Sequence, residues 1–301
     1  MSMFEKKQYY ISKFSLKNRY CMRKQVRMNS VYERWILTQD EYKKKYVILF
    51  ENIGNFIPDL QELFFELPVH KAIIYPIDLI EKASMYVSES AIGFVYPLQI
   101  LKYQIFDQAM ETEKAGRIQL LRRLCNTVEE LHKKRVYMMG LDKKQIMVSD
   151  GEIYIRYNGF KNYNRNSIYK IPDYIAEKYL AVPGFLDVFS LTAIIFEYMF
   201  NWNPFFGTMT SFFHDEEYQF EVFYNYFMKK MFIFEQTDKA NHIGISADQR
   251  LVIEKWCSMD SQICRIFEKI LTLDVSETFL QSDMLADIQK LITYYEKSEL
   301  F

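Results

Sequence analysis

The sequence predicts an α+β protein, rich in strands over its first third and mainly helical after that. Three observations predict this. Up to about residue 97, β-branched and aromatic residues come in short runs that stop at turns or prolines. From about Leu98 on, apolar residues recur at helical spacing, as at Ile118, Leu121, Leu124, Cys125, Val128 and Leu131. Half of the 301 residues are apolar and 17% are aromatic, with 25 Phe and 23 Tyr. A chain of that make-up can bury a core large enough to offset its conformational entropy.

Each element has its own reason. Val31 to Leu37 alternates and is rich in β-formers, Thr38 to Tyr42 reads as a turn, and Lys45 to Phe50 reads as a buried strand. Together they predict a hairpin. Asp59 to Phe65 is expected to form a short amphipathic helix. Ala72 to Tyr75 and Ile92 to Tyr96 read as strands, each stopped by a proline (Pro76, Pro97) that cannot donate to a ladder. Gly116 to His132 carries the helical stripe named above. Ala176 to Leu180, Asp187 to Phe200, Glu216 to Met231 and Cys264 to Leu273 are further helical candidates. The change of pattern places one boundary, dividing residues 1–97 from residues 98–301.

Composition excludes several classes. The formal net charge is −1, from 38 basic and 39 acidic residues, so no global field favours a nucleic-acid partner. Cys21, Cys125, Cys257 and Cys264 form no CxxC pair, and with four histidines no metal-ligand spacing emerges. Reduced thiols in a cytoplasmic protein are the expectation. The charged, aromatic N-terminus is not a signal peptide. The longest apolar run, Leu191 to Phe200, is broken by Thr192 and Glu197 and is too short to span a bilayer. No basic amphipathic helix points to a membrane surface. The clusters Lys43-Lys44-Lys45, Lys133-Lys134-Arg135 and Lys143-Lys144 read as solvated faces.

The most informative stretch is Leu131 to Phe160. Leu131-His132 closes a helix, and Met138-Met139-Gly140-Leu141 follows. Gln145 precedes the strand Ile146-Met147-Val148, Ser149-Asp150-Gly151 turns the chain, and Ile153-Tyr154-Ile155 returns it to Arg156-Tyr157-Asn158-Gly159-Phe160. This layout resembles the catalytic and metal-binding loops of a protein kinase, H-R-D-L-x-x-x-N and then D-F-G. Phe185-Leu186-Asp187-Val188-Phe189-Ser190-Leu191 resembles the kinase D-V-W-S-L-G helix start, and Asn203-Pro204-Phe205-Phe206-Gly207 the P-P-F-x-G loop. The chain is also similar to a bacterial kinase-like family often found beside von Willebrand A-type modules. The matching segments are Ile74-Tyr75-Pro76, Gly93-Phe94-Val95-Tyr96-Pro97, Met139-Gly140-Leu141 and Phe232 to Asn241.

The resemblance implies a bilobal protein kinase-like fold, with a small β-rich N-lobe over 1–97 and a larger, mainly helical C-lobe over 98–301. It implies that Asp187 is a structural anchor for the catalytic-loop backbone. It does not carry over activity, because the reactive positions are filled by other residues. No glycine occurs before Gly54, so no Gly-rich loop can bring backbone N–H groups to a phosphate. Ile48, or Leu49, stands at the strand lysine. Met138, Met139 and Gly140 stand at H-R-D, so the base position has no side chain. Gln145 replaces the Asn, and Tyr157, or Arg156 in the neighbouring register, replaces the metal-binding Asp. Mg²⁺ wants hard anionic oxygens, which neither supplies. The plain reading of Arg156 is a strand residue facing solvent or paired with Glu152; the sharper one is a direct phosphate contact.

The expectation is therefore a pseudokinase without catalytic residues, cofactor or metal, acting as a protein-binding scaffold or regulator. The missing Gly loop argues against ATP. Phe212-Phe213-His214 and the aromatic residues from Tyr218 to Phe234 are candidate contact surfaces, against the alternative that they fill a core. One alternative is a nucleotide sensor without turnover. Another is a phosphotransferase with relocated acids, drawn from Asp142, Asp150, Glu152 or Asp173, although Asp150-Gly151 reads better as a hairpin turn.

Overall fold

A computed structural model describes residues 9–11, 19–27, 34–40, 43–52, 70–81, 91–110, 113–157, 169, 184–205, 247–273 and 283–301. The expected helices at 59–65, 176–180 and 216–231, and the aromatic stretch from 212 to 234, lie outside them. The described residues form a mixed α and β structure. Its strands are β1 (Tyr9–Ile11), β2 (Arg19–Arg27), β3 (Arg34–Gln39), β4 (Lys45–Asn52), β5 (Ile73–Ile74), β6 (Asp78–Glu81), β7 (Ala91–Pro97), β8 (Gln104–Ile105), β9 (Ile146–Ser149) and β10 (Glu152–Arg156). Its helices are α1 (Phe106–Ala109), α2 (Lys114–Lys133), α3 (Phe185–Phe200), α4 (Ala247–Cys257), α5 (Ser261–Leu271) and α6 (Asp283–Lys297).

Where the sequence draws one boundary after residue 97, the chain forms two compact units that take turns along it. The first is Met1–Ile105, Met147–Asp150 and Tyr154–Asn164; the second is Phe106–Ile146, Gly151–Ile153 and Arg165–Phe301.

In the first unit six antiparallel strands lie in the order β1-β2-β3-β4-β7-β6. The first and last of the row approach each other, so the sheet curls and shields its edges. The expected hairpin is β3–β4, with Trp35 opposite Leu49 and Gln39 opposite Lys45. Its turn sits later than the sequence suggests. Thr38 and Gln39 still pair, and the chain reverses at 40–44. There the Asp40 side chain accepts the Lys44 N–H at 2.8 Å and Lys43 takes a left-handed φ of 62°. β1 and β2 precede this hairpin, and β6 follows Pro76; the sequence reading has none of the three.

Alternation along β4 and β7 buries both faces. Val47, Leu49, Phe94 and Tyr96 join Leu79, Ile100, Ile105 and Met147 in one apolar cluster, with Ile74, Tyr103 and Tyr154 against it. On the other face Ile48 and Ile80 close over Gly93. A Cβ at Gly93 would stand 2.5 Å from Ile80 Cγ1 and 2.9 Å from Ile48 Cγ2. β5 is only two residues long and pairs with β10 in parallel, Ile73 with Ile155 and Ile74 with Arg156. β9 and β10 turn at Asp150 (φ 52°) and Gly151 (φ 74°), the two positive-φ positions of a type I′ hairpin that the Asp-Gly pair predicts.

The second unit is built on α3, which is buried almost all round, as its apolar sequence requires. Gly184 (φ 83°) starts it and Asn201 (φ 53°) ends it, both left-handed. Inside it, the Ser190 and Thr192 hydroxyls donate to the carbonyls of Leu186 and Val188, so neither polar group is buried unpaired. α2 presents Ile118, Leu121, Leu124, Cys125, Val128 and Leu131 to the interior. α5 is capped by Asp260, whose carboxylate accepts the Gln262 N–H at 2.7 Å, and buries Ile263, Phe267, Ile270 and Leu271. α6, absent from the sequence reading, packs on α2 and α3 through Met284, Ile288, Leu291, Ile292 and Tyr295. Among the described residues no helix is long and apolar enough to cross a membrane.

Candidate functional site

The loop that follows α2 is organised around one carboxylate. Asp187 lies in the first turn of α3 and is fully buried. Its Oδ1 accepts the Gly140 N–H at 2.7 Å and its Oδ2 accepts the Met138 N–H at 2.9 Å. His132, at the end of α2, brings Nε2 to 2.9 Å from the same Oδ2. An ionised carboxylate is an acceptor only, and three donors converging on it compensate its burial. The backbone pays for this convergence with two successive left-handed residues, Met139 at φ 57° and Gly140 at φ 102°. Only a residue without Cβ takes the second value without strain. Gly184 plays a different part: its missing Cβ leaves room for the His132 ring, whose Cε1 would lie 2.6 Å from such a carbon. So three of the predicted site residues, Met138, Gly140 and Asp187, are brought together. What they form is a backbone clasp, and Gly140, the residue expected at a base position, has no side chain.

Asp142 and Gln145 are engaged with each other. The Asp142 carboxylate accepts the Lys144 N–H at 2.8 Å, and the Gln145 carbonyl oxygen accepts the Asp142 N–H at 3.1 Å. This capping box closes the single turn Lys143–Gln145. The Gln145 amide oxygen is thus engaged with the backbone. The other proposed acids stand in their own turns: Asp150 is exposed at the hairpin tip, and Glu152 is exposed and 3.8 Å from Arg123. Asp173 lies outside the described residues.

The position expected for a metal-binding Asp is a strand end in the first unit. Arg156 is buried, so the expectation that it faces solvent is corrected. It stands opposite Ile74 in the parallel β5–β10 pair. Tyr157 follows. Its N–H donates to the Ile74 carbonyl at 2.9 Å, its carbonyl accepts the Tyr96 hydroxyl at 2.8 Å, and its ring lies 5.7 Å from that of Tyr75. Ile48, at the strand-lysine position, is fully buried, whereas Lys43, Lys44 and Lys45 just before it are exposed.

One cluster escaped the sequence reading. Lys143, expected on a solvated face, is only 9% exposed. Its Nζ lies 2.9 Å from Asp107 and 3.1 Å from Glu197. It also stands 5.2 Å from the Tyr169 ring centroid and 5.1 Å from that of Tyr198. Tyr169 donates to Glu197 and Tyr198 to Asp107. Burial opposes the charge on Lys143, but Glu197 and then Asp107 outweigh it and raise its pKa. Burial raises both tyrosine hydroxyls, and the nearby carboxylates raise them further. Glu197 interrupts the apolar run of its helix, but nothing in the sequence pairs it with Lys143, 54 residues away.

Cys125 is buried against α6, and burial, with Glu129 nearby, pushes its thiol up to about 12, which leaves it unreactive. Among the described residues no group of three or more His, Cys, Asp or Glu could hold a metal ion. No family model matches the chain, and no curated protein matches it.

Proposed function

We propose that this chain is a kinase-like protein that has given up phosphoryl transfer and works as a protein-binding scaffold in a bacterial cytoplasm. The observation that carries the reading is the Asp187 clasp. A carboxylate at the start of a buried helix holds the N–H groups of Met138 and Gly140, the loop that resembles H-R-D, while the base position offers no side chain. On this reading the loop keeps the support of a catalytic loop and lacks its acid.

The order of parts supports the same reading. Strands come first, then the long helix α2, then the β9–β10 hairpin, then further helices. Phosphoryl transfer depends on cradling phosphates, holding metal and orienting the acceptor. Segments that would face a nucleotide in a kinase here pack on each other. Leu49 beside the strand-lysine position, Phe94 and Tyr96 before the inter-lobe connection, and Met147 after Gln145 share one apolar cluster. Removing a single electrostatic stabiliser commonly costs a factor of about 10² to 10³ in rate, and here several are missing at once. Among the described residues the large apolar side chains left exposed, Ile77 at 50%, Leu251 at 53%, Leu98 and Leu101 at 37% each, are surface that a protein partner would cover.

The test is a thermal-shift titration with ATP and with ADP, each with Mg²⁺ and with EDTA. A ligand at 100 times its Kd adds about 2.7 kcal/mol of stability. The expected result is no shift at millimolar nucleotide. A shift that survives chelator would make the chain a nucleotide sensor. A shift that requires Mg²⁺ would overturn the proposal.

A further inference from the structure

The turn between α4 and α5 brings two cysteines to one carbonyl group. Cys257 ends α4 and is exposed; Cys264 lies one turn into α5 and is half-buried. The Cys264 thiol points back along its helix and meets the Trp256 carbonyl oxygen at 3.7 Å. The peptide that follows this carbonyl leads directly to Cys257. Standard planar geometry puts the Cys257 Cα about 3 Å past the oxygen, and so within about 7 Å of the Cys264 sulfur. A cysteine sulfur stands nearly 3 Å from its own Cα. Closing the rest of the gap takes rotation about χ1 of Cys257 and movement of the Ser258-Met259-Asp260 turn. Cα separations of about 4.4–6.8 Å are the ones a disulfide accepts.

We propose that Cys257 and Cys264 are a reversible thiol-modification site, joined as an intramolecular disulfide when the protein meets a peroxide. The two thiols have different roles. Cys257 is open to solvent and meets the oxidant first. Cys264 is the resolving thiol. Burial, with Glu268, Asp260 and Cys257 nearby, pushes it up to about 11, so it stays protonated until its partner is oxidised. The Cys257 thiolate attacks one peroxide oxygen, the O–O bond breaks, and sulfenic acid and water result. The Cys264 sulfur then loses its proton and attacks the Cys257 sulfur, the S–O bond breaks, and a second water leaves. Two thiols and one hydrogen peroxide become one disulfide and two waters, and a dithiol reverses the change. The bond would form beside Trp256, whose ring lies 6.1 Å from Phe196 and 6.2 Å from Phe267, so it would bear on the aromatic packing of α3 and α5. None of this depends on the chain being kinase-like.

The test uses the full chain, treated with hydrogen peroxide, alkylated while denatured, and digested with trypsin. Cleavage after Lys255 and Arg265 leaves both cysteines in one peptide. The expected product is that peptide two hydrogens lighter and resistant to alkylation, restored by dithiothreitol. Cys257→Ser and Cys264→Ser should each abolish it, and Cys264→Ser should leave a sulfenic acid on Cys257 that dimedone traps. Cys257→Ser changes an exposed side chain, so an unchanged Tm shows that the loss is not unfolding. Oxidation of Cys257 to sulfinic acid with Cys264 still alkylated would overturn the proposal. Cross-linking of two chains through Cys257 would also overturn it.

Discussion

Asp187 gathers three hydrogen-bond partners of the second unit on one side chain. Its substitution by alanine leaves two buried N–H groups and one imidazole without their acceptor. Each orphaned buried donor costs about 1–3 kcal/mol, so Asp187→Ala should lose about 4 kcal/mol, read as a lower urea midpoint at unchanged slope. Asp187→Asn keeps one oxygen and should lose roughly half of that. A loss under 1 kcal/mol for the alanine variant would mean that the clasp is not holding the loop. The sequence pointed to this residue only through the resemblance, which implies an anchor for the loop backbone; its periodicity and composition do not single it out. The fate of Lys143 was not legible. Its neighbour Lys144 is the same residue type and is exposed, and Glu197 is 54 residues away in sequence. Nothing local separates the two lysines; the fold puts one among carboxylates and the other in water.

The elements sort by how local their causes are. The β9–β10 hairpin was legible because Asp150-Gly151 meets a requirement of the turn itself. α2 and α3 were legible because their apolar residues repeat over many turns. β6 was not, since four residues after a proline carry too little pattern to be seen. α6 is a different case. Met284, Ile288, Leu291, Ile292 and Tyr295 recur at helical spacing, so its cause is as local as that of α2. β1 and β2 are held by the row of strands they join more than by their own composition. At this scale Gly93 makes the sharpest prediction. The side chains of Ile48 on β4 and Ile80 on β6 meet over it. Gly93→Ala puts a carbon in occupied space and should cost about 2 kcal/mol through overpacking. The double variant Gly93→Ala with Ile80→Val should recover part of this, and failure to recover any would place the strain in the backbone instead.

For the molecule as a whole, alkaline pH is the condition that tests the buried polar groups together. Cys125, Lys143, Tyr169 and Tyr198 all hold their protons more tightly in the folded chain than in the unfolded one. Groups with raised folded values contribute stability that is complete below their unfolded pKa and is lost as pH climbs toward the folded one. The melting temperature should therefore begin to fall near pH 9, where an unfolded cysteine titrates, and fall faster above about pH 10. Tyr198→Phe should make the second decline shallower, and a profile flat to pH 11 would contradict the buried cluster. A mixed α and β make-up was legible in the sequence, but the way the residues group into units was not, because the residues that complete the first unit come late. Met147 and Tyr154 belong to the packing of a unit whose other described strands end at Ile105. That has a practical consequence for anyone cutting the chain. A fragment ending at 97 or 105 would lack part of its own interior and the partner of β5, and should behave as a sticky, partly folded piece. Supplied in trans, a peptide spanning 146–157 is what it would need to become a protein.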